Sequence, residues 1–214
     1  MAVKNSSAFS PDTDKNTTAE AALADSKLLA SVVDALAGED RRARQVAASV
    51  VNRVAIEQPA LLKEFAPQLA DALHRPESQT RWEVLGTFEK LVAVDARLVD
   101  RALGGAEAAL HDEESGTVRL AAFRLLTTYG ATTAKRSERV WPLVAEAIRC
   151  YHGDPEFISM LSGVYRMVCG SASDEVKIAA AELMAFDADN AKGLLKRRAA
   201  RIVECAPKKR GKKK

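Results

Sequence analysis

One recurrence limits what this chain can fold into more than any other feature. Between Pro59 and Val92, Phe65, Leu69 and Leu73 fall at i, i+4 and i+8; the polar interruption His74-Arg75-Pro76-Glu77-Ser78 follows, and Val84, Leu85, Phe88, Leu91 and Val92 then resume helical spacing. Two amphipathic helices joined by so short a turn must lie antiparallel. A shift of 37 residues places Leu36 on Leu73, Leu73 on Leu110, and Arg44 on Arg81, with Arg119 following after 38. A fourth, looser copy has Ile148 in the leucine slot and Ile158 in the arginine slot. Six residues before each leucine slot stand Pro67, Gly104 and Pro142, residues that kink or restart a helix, whereas the first copy has Ala30 there.

A helix pair of this period, with a proline in its first helix, an acidic turn and a basic residue early in its second, resembles the HEAT-repeat branch of the alpha-solenoids. The likeness runs from about Lys27 to Cys205, and the chain as a whole resembles small bacterial HEAT-repeat proteins. It implies an all-α fold: a right-handed alpha-solenoid of about five HEAT-like helix pairs. Composition agrees, because 47% hydrophobic residues with only 5% aromatics suit close packing of alanine, leucine and valine better than a β or α/β core.

The expected organisation is a disordered N-terminal arm at 1–25, a repeat domain at 26–206 and a disordered basic tail at 207–214. The arm is rich in Ser, Thr, Asp, Asn and Ala and poor in large apolar residues. Ser173 is expected to cap the first helix of a fifth pair, with Val176, Ala179, Ala180 and Leu183 inward. In the last helix Leu194, Leu195, Ala199 and Ile202 share the inward face. No apolar run is long enough for a membrane span, and no signal peptide is expected. Cys150, Cys169 and Cys205, odd in number and irregular in spacing, fit a reducing, cytoplasmic setting better than a disulfide framework.

Charge is distributed unevenly. From Lys192 onward the chain has eleven lysines or arginines and one acid, Glu204, so a net charge of +3 overall leaves residues 1–191 at −7. The basic positions are Lys192, Lys196, Arg197, Arg198, Arg201, Lys208, Lys209, Arg210, Lys212, Lys213 and Lys214, which makes them the candidate nucleic-acid-binding residues. Lysines beside phosphates release counterions and give salt-sensitive, nonspecific attraction; this tail has no interleaved aromatic to stack on bases. A solubilising tail, or a polar outer face on the terminal repeat, explains the same residues.

The candidate protein-binding residues are Arg44, Arg81, Trp82 and Arg119, on the second helices expected to line the concave side of the stack. The arginines have a structural alternative, a ladder in which each meets an acidic turn residue such as Asp40, Glu77, Asp112 or Glu113 of its own or the adjacent repeat. Trp82, directly after Arg81, is either core or an exposed anchor. His74 and His111 share one turn slot, but helices packed about 8–10 Å apart cannot bring equivalent side chains onto one zinc. Cys150 and His152, two residues apart, do not face each other on a helix. A glycine-rich phosphate loop, a paired catalytic motif and a compact Trp and Asp constellation like that of HEAT-like alkylpurine DNA glycosylases are all lacking, so neither catalysis nor a cofactor is expected. The expected function is a noncatalytic protein-protein interaction scaffold, monomeric, with a protein partner and no membrane association; the alternative is a nucleic-acid-associated protein held to phosphate by its basic end.

Overall fold

The computed structural model of the chain describes residues 9–207, which form eleven α-helices and two 3-10 segments and contain no strand. The chain divides into two compact units between Leu125 and Leu126.

The first unit is built from three repeats, each with its first helix split into two pieces. These are α1 (Lys15–Ala24), α2 (Ser26–Ala35) and α3 (Arg41–Glu57); then a 3-10 segment at Pro59–Phe65, α4 (Ala66–Ala72) and α5 (Ser78–Asp95); then a 3-10 segment at Ala96–Arg101, α6 (Leu103–Leu110) and α7 (Gly116–Gly130), which crosses into the second unit. Pro67 and Gly104 are each the second residue of the restarted helix. A proline lacks only an N–H that the first turn leaves unbonded anyway, so the slot restarts the helix without cost. In the first repeat Asp25 makes the break: it ends α1, and its carboxylate accepts from the N–H groups of Lys27 (2.9 Å) and Leu28 (3.1 Å).

The helix α1 corrects the expectation of a disordered arm over 1–25. Asp14 caps it, accepting from the N–H groups of Asn16 and Thr17 at 2.9 and 3.0 Å, and Thr18, Ala19 and Ala22 are buried as α1 packs on α3. Its packing face is made of small side chains, so it carries almost none of the hydrophobic signal by which a buried helix is recognised. Residues 1–8 of the expected arm, and 208–214 of the expected basic tail, lie outside the described residues.

Leu36, Leu73 and Leu110 occupy one equivalent place, the C-terminal end of α2, α4 and α6, with exposures of 1%, 4% and 0%. A Cβ on Gly105 would stand 2.8 Å from Leu73 Cδ1, so α6 lies on the preceding repeat more closely than any side chain at that position would allow. The second helices supply the rest of the interior, chiefly Val50, Val51 and Val54 of α3 and Val84, Leu85, Phe88 and Leu91 of α5, all fully buried.

The second unit contains the end of α7, α8 (Ala134–Cys150), α9 (Phe157–Cys169), α10 (Asp174–Asn190) and α11 (Gly193–Glu204). Here the first helices are continuous, and α8 runs on through Pro142. Ser173 caps α10 as expected, its hydroxyl accepting from Val176 N–H at 3.3 Å, while its own N–H donates to Ser137 Oγ at 3.0 Å. Val176, Ala180 and Met184 form the buried stripe of α10; Ala179 and Leu183 are only half-buried. In α11 Ala199 and Ile202 are fully buried, but Leu194 is 44% exposed, contrary to its expected inward position. Steps of three and four residues back from those two positions reach Leu195, which is half-buried, and miss Leu194.

Placing a carboxylate on the inner face of α1 should test its packing. Ala22→Glu is expected to lower stability by about 2 kcal/mol and to open the Lys15 and Lys27 sites to native-state trypsin digestion. Ala21→Glu, on the exposed side of the same helix, should leave both the urea midpoint and the digestion rate unchanged.

Candidate protein-binding face

The arginine column forms at the start of the second helices. Arg44, Arg81 and Arg119 are each the fourth residue of their helix, and each donates its backbone N–H to the residue just before the helix: Asp40, Glu77 and Ser115. This shared register points each guanidinium toward a turn. Arg44 Nε donates to Glu77 Oε2 at 3.2 Å and its Nη2 to Glu77 Oε1; Nη1 donates to the carbonyls of Gly38 (2.9 Å) and Glu39 (2.8 Å). One guanidinium therefore closes its own turn and grips the carboxylate of the next. Arg81 repeats the forward link, with Nη1 donating to Asp112 Oδ2 at 2.5 Å. Asp112 Oδ1 also accepts from the N–H groups of Glu114 and Ser115 at 3.1 and 2.7 Å. Arg119 turns back to its own turn, its Nη1 donating to the Asp112 carbonyl at 2.8 Å.

Arg44 and Arg81 thus meet the carboxylates of the following turn, as the expected ladder has it, while the Arg119 bond is to a backbone carbonyl. Glu77 is 6% exposed and Arg44 9%. The hydrogen bonds from Arg44 hold the Glu77 carboxyl below the usual carboxylate range, and the same bonds raise Arg44. Glu77 precedes α5 in the N-cap position yet makes no side-chain capping bond, because its two oxygens are committed to Arg44.

Trp82 takes the other direction. It is 37% exposed and borders an open groove of about 410 Å³ between α3, α5 and α7. The lining follows helical spacing on each helix: Asn52 and Ile56 on α3, Trp82, Gly86 and Lys90 on α5, Thr117, Ala121 and Arg124 on α7. Ile56 is 58% exposed, and Leu120 adds a half-buried apolar side chain. On the floor, Glu83 Oε1 accepts from Ser49 Oγ at 2.7 Å and Oε2 from Asn52 Nδ2 at 2.6 Å, while Gln79 Nε2 donates to Ser49 Oγ at 3.2 Å. A Cβ on Gly86 would stand 3.2 Å from Asn52 Oδ1, so this glycine gives Asn52 its place beside Glu83. Of the residues around this groove, the sequence singles out only Trp82 as a candidate; Asn52, Ile56, Gly86, Leu120 and Arg124 carry no such individual mark. The missing signal was a second stripe, one helical step away from the column.

The other candidate residues are scattered. Lys192, Lys196 and Arg197 are exposed on or beside α11, and Arg198 is half-buried. Lys196 Nζ donates to the Asp189 carbonyl at 2.9 Å, and Arg201 Nη2 to Tyr165 Oη at 2.8 Å, with its guanidinium 4.2 Å from the centre of that ring. Lys208, Lys209, Arg210, Lys212, Lys213 and Lys214 lie outside the described residues. His152 rests on Phe157, ring centres 4.6 Å apart, with Nε2 3.1 Å from Asp187 Oδ2. Among the described residues, no three His, Cys, Asp or Glu side chains cluster as a metal site would require, and no helix is long and apolar enough to cross a membrane.

No protein-family model matches the chain, and a search of curated proteins gives no match either. Solved structures do resemble it. A designed armadillo repeat protein in complex with the peptide (KR)4 matches 92% of this chain over 88% of its own length, with a TM-score of 0.74 and 13% identity. A second designed armadillo repeat protein matches 92% of this chain over 89% of its own, with a TM-score of 0.71 and 13% identity. The archaeal HEAT-like repeats protein from Thermococcus onnurineus NA1 matches 91% over 93%, with a TM-score of 0.56 and 10% identity. At such identities the likeness is one of fold: the chain is an all-α solenoid of the HEAT/armadillo type. The split first helices of the first unit are three-part repeats, whereas the second unit is made of plain helix pairs.

Removal of the Glu77 carboxylate should be costly. Glu77→Ala leaves a buried guanidinium without its partner and is expected to cost about 3 kcal/mol near pH 7 in urea unfolding. Because the folded-state value of Glu77 is depressed, its contribution is complete above the ordinary glutamate range and is lost as pH falls through the depressed value. The gap between wild type and Glu77→Gln should accordingly narrow steadily as the titration is repeated toward about pH 3.

Proposed function

We propose that this chain is a noncatalytic protein-binding scaffold whose first unit receives an extended protein segment in the groove beside Trp82. The observation that carries the reading is the contrast between two adjacent stripes of the same helices. The arginine column is consumed by the fold, while Trp82, Ile56 and Leu120 remain partly open around a polar floor. Exposed aromatic and aliphatic side chains around a few fixed polar groups are what a protein partner anchors on.

The floor narrows the partner's chemistry. Both Glu83 oxygens accept from neutral donors, Ser49 and Asn52, which leaves the carboxylate charge uncompensated by those contacts. An aromatic face next to a carboxylate suits a lysine or arginine side chain, by cation–π attraction and charge pairing together. The solenoid it resembles at a TM-score of 0.74 was solved with a peptide of lysines and arginines, which supports the same class of partner. Lys90 at the groove margin suits an acidic residue flanking the basic one. The nucleic-acid reading has less in its favour, because Arg201 is engaged with Tyr165 and Lys196 with the Asp189 carbonyl.

Titration of a (KR)4 peptide into a Trp141→Phe background, where Trp82 is the remaining tryptophan, should shift the Trp82 emission. Trp82→Ala is expected to weaken binding measured by calorimetry at least about tenfold, as removal of an interfacial aromatic anchor does. Glu83→Gln should weaken it about fivefold and flatten its salt dependence. A glutamate-rich peptide and a serine-glycine peptide serve as controls. Equal or absent response to all three peptides, with unchanged melting of the variants, overturns the reading.

A further inference from the structure

The last two second helices, α9 and α11, carry contacts that repeat with one offset. Tyr165 meets Arg201, and one turn further on Cys169 meets Cys205, each pair 36 residues apart. Contacts in the order 165 to 201 and 169 to 205 require the two helices to run parallel, side by side, with their C-termini level. Cys169 is the last residue of α9, and Cys205 is the C-cap of α11. Their sulfurs are 3.0 Å apart. A disulfide has its sulfurs about 2.04 Å apart, so about 1 Å of approach separates the contact from the bond. One side is anchored: Ser171 N–H, two residues beyond Cys169, donates to the Ala131 carbonyl at 2.8 Å. The other lies where the chain leaves its helix, so Cys205 can close the gap at little cost to the helical ladder.

We propose that Cys169 and Cys205 are a covalent modification site, a dithiol that becomes an intramolecular disulfide by exchange with a small-molecule disulfide such as oxidised glutathione and staples α11 to α9. The two sulfurs have different parts in the exchange. Cys205 is half-buried; burial first, and then its contacts with Cys169, push its thiol up to about 11, and its Sγ also donates to the Arg201 carbonyl at 3.3 Å. It keeps its proton while the exposed Cys169 acts as the entering nucleophile. The Cys169 thiolate attacks one sulfur of oxidised glutathione, forming a mixed disulfide and releasing one glutathione thiolate. Cys205 then gives its proton to solvent and attacks Cys169 Sγ. The protein disulfide forms, the mixed disulfide breaks, and the second glutathione thiolate leaves. Two protein thiols are oxidised and one glutathione disulfide is reduced to two thiols. Contact between the sulfurs gives the second step a high effective concentration, so the mixed disulfide should not accumulate.

The expected consequence is local to α9 and α11. Among the described residues α11 has few buried side chains, chiefly Ala199 and Ile202. A helix with so little interior opens before the rest, and a covalent link at its last turn suppresses that opening.

The test uses the full chain equilibrated with reduced and oxidised glutathione mixtures and quenched in acid. The proposal expects the intact mass to fall by two hydrogens and reactive thiols to drop from three to one per chain. Peptide mapping should join Cys169 to Cys205, and Tm should rise by roughly 5–10 °C, reversibly with dithiothreitol. Cys150→Ser should preserve the mass loss and the Tm shift. Cys169→Ser and Cys205→Ser, each with one partner removed, should instead show stable glutathione adducts. Three persisting thiols, glutathione adducts on the wild-type pair without mass loss, or disulfide-linked dimers on a non-reducing gel would each overturn it.

Discussion

A helix hairpin has two apolar faces and can cover only one of them itself, and everything in the first unit follows from how this deficit is met. Leu36, Leu73 and Leu110 are buried because each sits at the same point of successive hairpins, so that each repeat supplies the lid of its neighbour. Apolar contact alone would tolerate sliding, since leucine, valine and alanine surfaces are nearly isotropic. Arg44 and Arg81 remove that freedom. A guanidinium that reaches forward to one particular carboxylate fixes the translation between repeats, and that of Arg44 also closes its own turn through Nη1.

Neighbouring residues of one helix divide the labour. Arg81 and Trp82 are adjacent in sequence, yet they point about 100° apart on the helix, one toward the next turn and one toward the groove. Order is thus set by one stripe, and the adjacent stripe is left partly open to solvent. Glu83 and Asn52 belong partly to both: their hydrogen bond crosses from α5 to α3, and it also fixes the polar floor of the groove. A segment docking there, as proposed above, would meet polar groups already held in place by their own hydrogen bonds.

Much of this architecture was legible in the sequence because the repeats share long apolar side chains at constant spacing. The leucine slot, the second helices and the Ser173 cap all follow from that periodicity. The helix α1 did not, since threonine and alanine pack closely without raising local hydrophobicity, and neither did the exposure of Leu194, a position one residue out of phase. The helix restarts at Pro67 and Gly104 follow the sequence, but Pro142 sits inside an unbroken α8, where the same slot is tolerated. The groove was half legible: Trp82 marked it, but Asn52, Gly86 and Arg124 have residue types that any exposed helix face could carry. The contact between Cys169 and Cys205 could not be read at all without the parallel alignment of α9 and α11.

Gly105 acts as a shim of zero thickness. The third repeat rests on Leu73 with nothing interposed. A methyl group inserted there would stand inside contact distance of Leu73 Cβ and Cδ1 and would have to push that side chain aside, so the spacing of the first-helix layer in this unit depends on one position having no side chain at all.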